Sequence, residues 1–157
     1  MFFHVPKLNL RRSRLDSDFA LRICRRNVTI ENVKIDQAGG NGIFLSNHCW
    51  RTNIFGNTVG HAGDSAILLV GSTHYMNGTA DSYPAFTNIS NNLCYEMGYY
   101  GKQTAAYFKS IAFRTQLVNN VFFNSPRSLV NYNDAYRGGD LMEGNVMWGA
   151  VKETADQ

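Results

Sequence analysis

Apolar and polar positions recur along this chain in one short frame, an apolar pair flanking an asparagine: Ile54-Phe-Gly-Asn57-Thr-Val59, Ile89-Ser-Asn-Asn92-Leu-Cys94, Leu117-Val-Asn-Asn120-Val-Phe122 and Met142-Glu-Gly-Asn145-Val-Met147. The asparagines at 57, 92, 120 and 145 are 35, 28 and 25 residues apart, a period that marks stacked repeats. Upstream, Ile30-Glu-Asn-Val33-Lys-Ile35 keeps the apolar flanks but carries Val33 in place of the asparagine. A second apolar run follows in each unit: Gly42–Leu45, Ala66–Val70, Ala105–Phe108 and Leu129–Tyr132. These runs are too short for helices and read as strands.

A unit of about 25 residues with two or three short strands cannot bury its apolar side alone and must stack on its neighbours. The pattern therefore predicts an all-β parallel β-helix of about five coils. Equivalent residues would lie ~4.8 Å apart, and the asparagines would form a hydrogen-bonded ladder holding the bend. A β-sandwich is the competing reading, because short strands between turn signals fit it too. Against it, the Asn-Gly hairpin signature occurs only at Asn41-Gly42 and Asn77-Gly78, and a sandwich does not explain one residue recurring once per unit.

At 157 residues, with 44% apolar and 13% aromatic residues, the chain can build a core. Its charge of +3 is uneven. Residues 1–26 carry Lys7, Arg11, Arg12, Arg14, Arg22, Arg25 and Arg26 against Asp16 and Asp18, a net +5 that leaves −2 for the remainder. This stretch shows no sustained period and is expected to be an irregular basic lead-in or cap, with the solenoid over 27–157. It has neither the interleaved aromatics of a nucleic-acid platform nor the apolar face of a membrane helix, which argues against both partners.

The opening Met1-Phe-Phe-His4-Val-Pro6 lacks the charged start and apolar core of a secretory signal, and no stretch is long enough to span a membrane as a helix. Compartment is left open. Sequons at Asn27, Asn77 and Asn88 would matter only for a secreted protein. Cys24, Cys49 and Cys94 form no disulfide framework or zinc motif, and Cys94 falls on an inward position. His48, His61 and His74 lack metal-site spacing, so neither a metal nor a cofactor is expected. The longest interval contains Ser72–Pro84, an expected loop insertion.

Stacked turns would bring distant residues to one wall. The first turn of successive units offers His61 and Asp64, then Tyr99, Tyr100, Lys102 and Gln103, then Arg127. The turn after the second strand offers His48, His74, Lys109, then Asn133 and Asp134. The segment Asn124–Asp140 adds Asn131, Tyr136, Arg137 and Asp140. Aromatics, amides and arginines together suit a hydroxyl-rich, acidic ligand, and a polysaccharide or glycan is the expected partner. Hydrolysis would need two carboxylates roughly 5 to 9.5 Å apart, for which Asp134 and Asp140 are nearest in sequence. β-Elimination would need a cation on the sugar carboxylate and a base, with Arg127, Lys102, His61 and Tyr136 as candidates.

Gly101-Lys102-Gln103, Pro126-Arg127 and Asn133-Asp134, on consecutive units, resemble segments of right-handed parallel β-helix proteins of the pectin-lyase-like superfamily, over roughly residues 27–151. The resemblance implies a lyase-like or hydrolase-like protein, with Arg127 and Lys102 holding acidic groups and Asp134 or Tyr136 moving protons. Its alternative is a non-catalytic carbohydrate-binding or structural β-helix of the adhesin or tailspike type. In the resembling subgroup further coils follow, so the repeat is expected to be cut short here, with self-association through open coil ends.

Overall fold

The computed structural model describes residues 9–11, 19–75, 80–133 and 138–150, so expectations placed on Asn77, Asp134, Tyr136, Arg137 and the two ends of the chain lie outside the described residues. The strands in chain order are β1 (Asn9–Arg11), β2 (Phe19–Ile23), β3 (Thr29–Glu31), β4 (Lys34–Asp36), β5 (Asn41–Ser46), β6 (Asn53–Phe55), β7 (Thr58–Ala62) and β8 (Ile67–Val70). They continue as β9 (Asn88–Ser90), β10 (Leu93–Met97), β11 (Ala105–Ser110), β12 (Gln116–Val118), β13 (Val121–Ser125), β14 (Ser128–Tyr132), β15 (Leu141–Glu143) and β16 (Val146–Ala150). Each strand pairs in parallel with the strand three places on, giving three sheets: A (β1-β4-β7-β10-β13-β16), B (β2-β5-β8-β11-β14) and C (β3-β6-β9-β12-β15). The chain is a parallel β-solenoid of about five turns.

The interior is built from columns one residue wide. Sheet C contributes Ile30, Ile54, Ile89, Leu117 and Met142, and sheet A contributes Ile35, Val59, Cys94, Phe122 and Met147. Burial is complete in the middle coils and fails at the last, where Leu117 is 0% exposed and Met142 above it 44%. Parallel pairing also starts earlier than the boundary expected at residue 27. Within the basic stretch, Phe19-Ala-Leu21-Arg-Ile23 alternates, pairs with β5 and packs Leu21 and Ile23 against the core.

Sheets C and A meet at a tight corner, and there the asparagine ladder forms. The Asn57 amide donates to the Ile30 carbonyl at 3.0 Å while its oxygen accepts from the Val33 N–H at 3.0 Å. Asn92 does the same for Ile54 and Asn57, Asn120 for Ile89 and Asn92, and Asn145 for Leu117 and Asn120, with amide-to-amide bonds of 2.9 to 3.0 Å along the column. Each side chain therefore closes the corner of the coil before it. Val33 receives a cap, and the ladder ends with it.

The residue before each ladder position turns the chain through left-handed φ: Asn32, Gly56, Asn91, Asn119 and Gly144, at 54 to 64°. Only Asn and Gly occupy this row, as expected where other residues pay about 1–2 kcal/mol. The two properties that make asparagine useful at a bend are thus divided between adjacent residues, a solvent-side turn former and a buried cap.

Asn92→Ala leaves the Asn57 N–H and the Ile54 carbonyl without their side-chain partner, and is expected to lower unfolding free energy by about 2–4 kcal/mol in urea titrations. Asn91→Gly, one residue away and exposed, is expected to change it by only a few tenths. The cysteines should separate as well. Cys24 is exposed, whereas burial pushes Cys49 up to about 11 and raises Cys94 further, so a thiol reagent at mildly alkaline pH should modify Cys24 alone until the protein unfolds.

Candidate functional site

The connections from sheet A to sheet B stack into one outer corner. The Tyr100 and Gly101 amides donate to the Gly63 carbonyl at 3.0 and 2.9 Å, and the Gly98 amide to the Asp64 carbonyl at 3.2 Å. Gly101 lies close against Asp64, whose Oδ1 would be 1.8 Å from a Cβ there, so a side chain at this position would displace the carboxylate. Tyr99 and Tyr100 are consequently pushed outward, 56% and 70% exposed. Lys102 Nζ donates to the Gly98 carbonyl at 2.9 Å, and Arg127 Nη1 to Gln103 Oε1 at 3.1 Å. Both cations bond neutral oxygens in these contacts, which do not neutralise their charge.

His61 stands at the end of β7 with a φ of 53°. Its Nδ1 lies 2.7 Å from Asp36 Oδ1, and its ring meets the rings of Tyr95 at 5.3 Å and Tyr99 at 6.0 Å. Nδ1 donating to the carboxylate leaves Nε2 as the basic nitrogen of the neutral ring. His61, Asp64, Tyr99, Tyr100, Lys102, Gln103 and Arg127 thus belong to the turns and strand ends of this one corner.

A feature of sheet A was not foreseen. The third residue after each ladder position points outward, and its column runs Asp36, Gly60, Tyr95, Phe123, Trp148. Tyr95 leans over Gly60, where a Cβ would meet its ring at 2.5 Å. Above it the rings stack, Tyr95 on Phe123 at 5.4 Å and 13°, Phe123 on Trp148 at 4.5 Å and 7°. Leu93, Val121 and Val146 fill the neighbouring outward column, so this face changes from polar in the early coils to apolar in the later ones. The signal was present in the repeat frame, three places beyond each asparagine.

The remaining nominated residues lie elsewhere. Asn131 is in the outward column of sheet B after Phe44, Leu68 and Phe108, and the Asn133 amide donates to the Lys109 carbonyl at 2.8 Å. Asp140 is held by the protein itself: Oδ1 accepts from the Thr115 amide at 2.8 Å and Oδ2 pairs with Lys109 Nζ. Lys109 was expected in a turn but lies within β11. It occupies the core column formed by Ile23, Leu45 and Leu69 and is 1% exposed, with Tyr132 following it. Its ammonium lies 5.4 Å from the centre of the Tyr132 ring. Tyr107, one core position earlier in the same strand, is also buried, and that burial pushes its phenol well above the usual range. The interior is polar here because Lys109 reaches the corner between sheets B and C, where Asp140 caps Thr115 as the ladder asparagines cap theirs.

Among the described residues no group of three or more His, Cys, Asp or Glu side chains is placed to hold a metal ion, and no helix is long and apolar enough to cross a membrane. No family model matches the chain, and comparison with curated proteins and with solved structures gave no match.

Asp140→Asn removes a carboxylate that pairs with a buried ammonium and is expected to lower stability, by at most about 3–5 kcal/mol. The double variant Lys109→Leu/Asp140→Asn restores the leucine of the lower coils and keeps a cap for Thr115, so denaturant unfolding should find it more stable than Asp140→Asn alone.

Proposed function

We propose that this solenoid binds an extended carbohydrate chain along the outer face of sheet A and the adjoining corner with sheet B. The observation that carries the reading is the aromatic column ending in Trp148. One face of the indole lies on Phe123, and Trp148 is still 49% exposed. A sugar ring can stack there, with apolar support from Val146 and hydroxyl or carboxylate partners supplied by the corner residues. Arg127 and Lys102 suit an acidic sugar, because each carries a full charge against a neutral protein oxygen.

The stacking of the Gly101-Lys102-Gln103 turn below the Pro126-Arg127 turn supports the proposed kinship with pectin-lyase-like proteins. Turnover is a second reading, favoured by the His61–Asp36 pair. A carboxylate at Nδ1 orients the imidazole so that Nε2 could take the proton next to a uronate carboxylate.

With Trp50 replaced by Phe, Trp148 becomes the one indole of the chain and its fluorescence reports this face. Titration with neutral and acidic oligosaccharides is expected to shift its emission with at least one of them, and Arg127→Ala should weaken the acidic ligand by about tenfold. An unchanged spectrum across the panel would remove the reading. Incubation with polyuronates is expected to release unsaturated chain ends if the second reading holds. Wild-type protein giving none would leave binding alone, and product formation unaffected by His61→Ala would remove the role given to His61.

A further inference from the structure

The corner between sheets B and C carries another row of left-handed residues: Asn27, Arg51, Phe86, Arg114 and Gly139, with φ from 47 to 66°. They stack through amide bonds from each residue to the carbonyl preceding its counterpart in the next coil, Asn27 to Trp50, Arg51 to Ala85, Phe86 to Phe113 and Arg114 to Gly138, at 2.8 to 3.2 Å. The ends of the row are Asn and Gly, as at the ladder corner. The three middle coils instead hold Arg, Phe and Arg in a conformation that disfavours bulky side chains. All three are exposed, Phe86 by 43%.

Arg26, Trp50, Phe86 and Arg114 pack along this corner as a ridge, with exposed Arg51 in the same row. The Arg26 guanidinium lies 4.4 Å from the centre of the Trp50 ring, and that of Arg114 lies 5.3 Å from the centre of Phe86. Trp50 meets Phe86 edge-on at 6.0 Å and is fixed by its indole N–H donating to the Tyr83 carbonyl at 3.0 Å. Asp81, beside the ridge, accepts the Tyr83 hydroxyl at 3.4 Å. From Arg26 to Arg114 the row climbs three coils, about 14 Å.

We propose that this ridge binds a sulfated glycan. The Arg26 and Arg114 guanidiniums each lie over a ring, and exposed Arg51 adds a third cation to the same corner; a guanidinium held over a ring keeps N–H edges with which to grip oxyanions through paired hydrogen bonds. On an exposed corner each contact is screened, so useful affinity requires a polymer with several anions over the span of the ridge. A single-stranded nucleic acid is equally charged but needs open aromatic faces for its bases. Here a guanidinium lies against both Trp50 and Phe86. The inference does not depend on the sheet A reading, which concerns different residues and a different tryptophan.

The experiment uses the full chain with Trp148→Phe, leaving Trp50 as reporter. It is titrated with a heparin oligosaccharide, a carboxylate-only oligouronate and a single-stranded oligonucleotide of equal charge. Heparin is expected to change Trp50 emission and to bind tightest of the three, with affinity falling as salt rises. Arg51→Asn/Arg114→Asn, whose asparagines suit the left-handed backbone, is expected to keep or raise the melting temperature and weaken heparin about tenfold or more, with a flatter salt dependence. Unchanged heparin affinity in that variant, no response of Trp50 to heparin, or tighter binding of the oligonucleotide or oligouronate as read by Trp50 emission would each overturn the proposal.

Discussion

The solenoid depends on a side-chain amide that closes the corner of the coil beneath it. A parallel strand leaving sheet C must turn within two residues to enter sheet A, and that turn strands one N–H and one C=O in a dry interior. The asparagine of the next coil supplies an acceptor and a donor at the required separation and passes a remaining hydrogen to the amide oxygen above. Leaving such groups unpaired costs far more than a solvent-exposed bond gains, so this position tolerates little change. Neighbouring coils are therefore coupled by side chains as well as by strand ladders.

With that corner fixed, the other two are free to carry chemistry. The ladder corner spends its left-handed positions on Asn and Gly alone. The row closing sheet A holds Gln37, His61, Glu96, Asn124 and Gly149, and the row opening sheet C holds two arginines and a phenylalanine. Side chains costly to keep in that conformation occur on the two corners that also display exposed aromatics and cations. Inside, Lys109 and Asp140 extend the capping principle with charge, joining the fourth coil to the fifth where the apolar column gives out.

Much of the fold was legible because a stacked architecture repeats its physical requirements at each turn. Asn57, Asn92, Asn120 and Asn145 fall in one column, and the second apolar runs form sheet B. The strand at Phe19–Ile23 was not legible, since three alternating apolar residues among arginines resemble a loose leader until β5 is seen to pair with them. Lys109 was misplaced for a related reason: a charge next to an apolar run reads as the start of a turn, and its burial depends on Asp140, 31 residues later. The corner residues from His61 to Arg127 could be grouped by counting from each ladder asparagine. The aromatic column at Tyr95, Phe123 and Trp148 follows from the same count, but the ridge at Trp50, Phe86 and Arg114 does not, because it depends on backbone conformation that residue type alone argues against.

Amide hydrogen exchange followed residue by residue tests the ladder most directly. The N–H groups of Val33, Asn57, Asn92 and Asn120 lie at a bend, outside the strand ladders; the first three are bonded to buried side-chain oxygens and the fourth to that of half-buried Asn145. They should exchange as slowly as the central strands of sheet A, opening only with global unfolding. Exchange at the rate of exposed turn amides would contradict the ladder and, with it, the claim that these side chains hold the coils together.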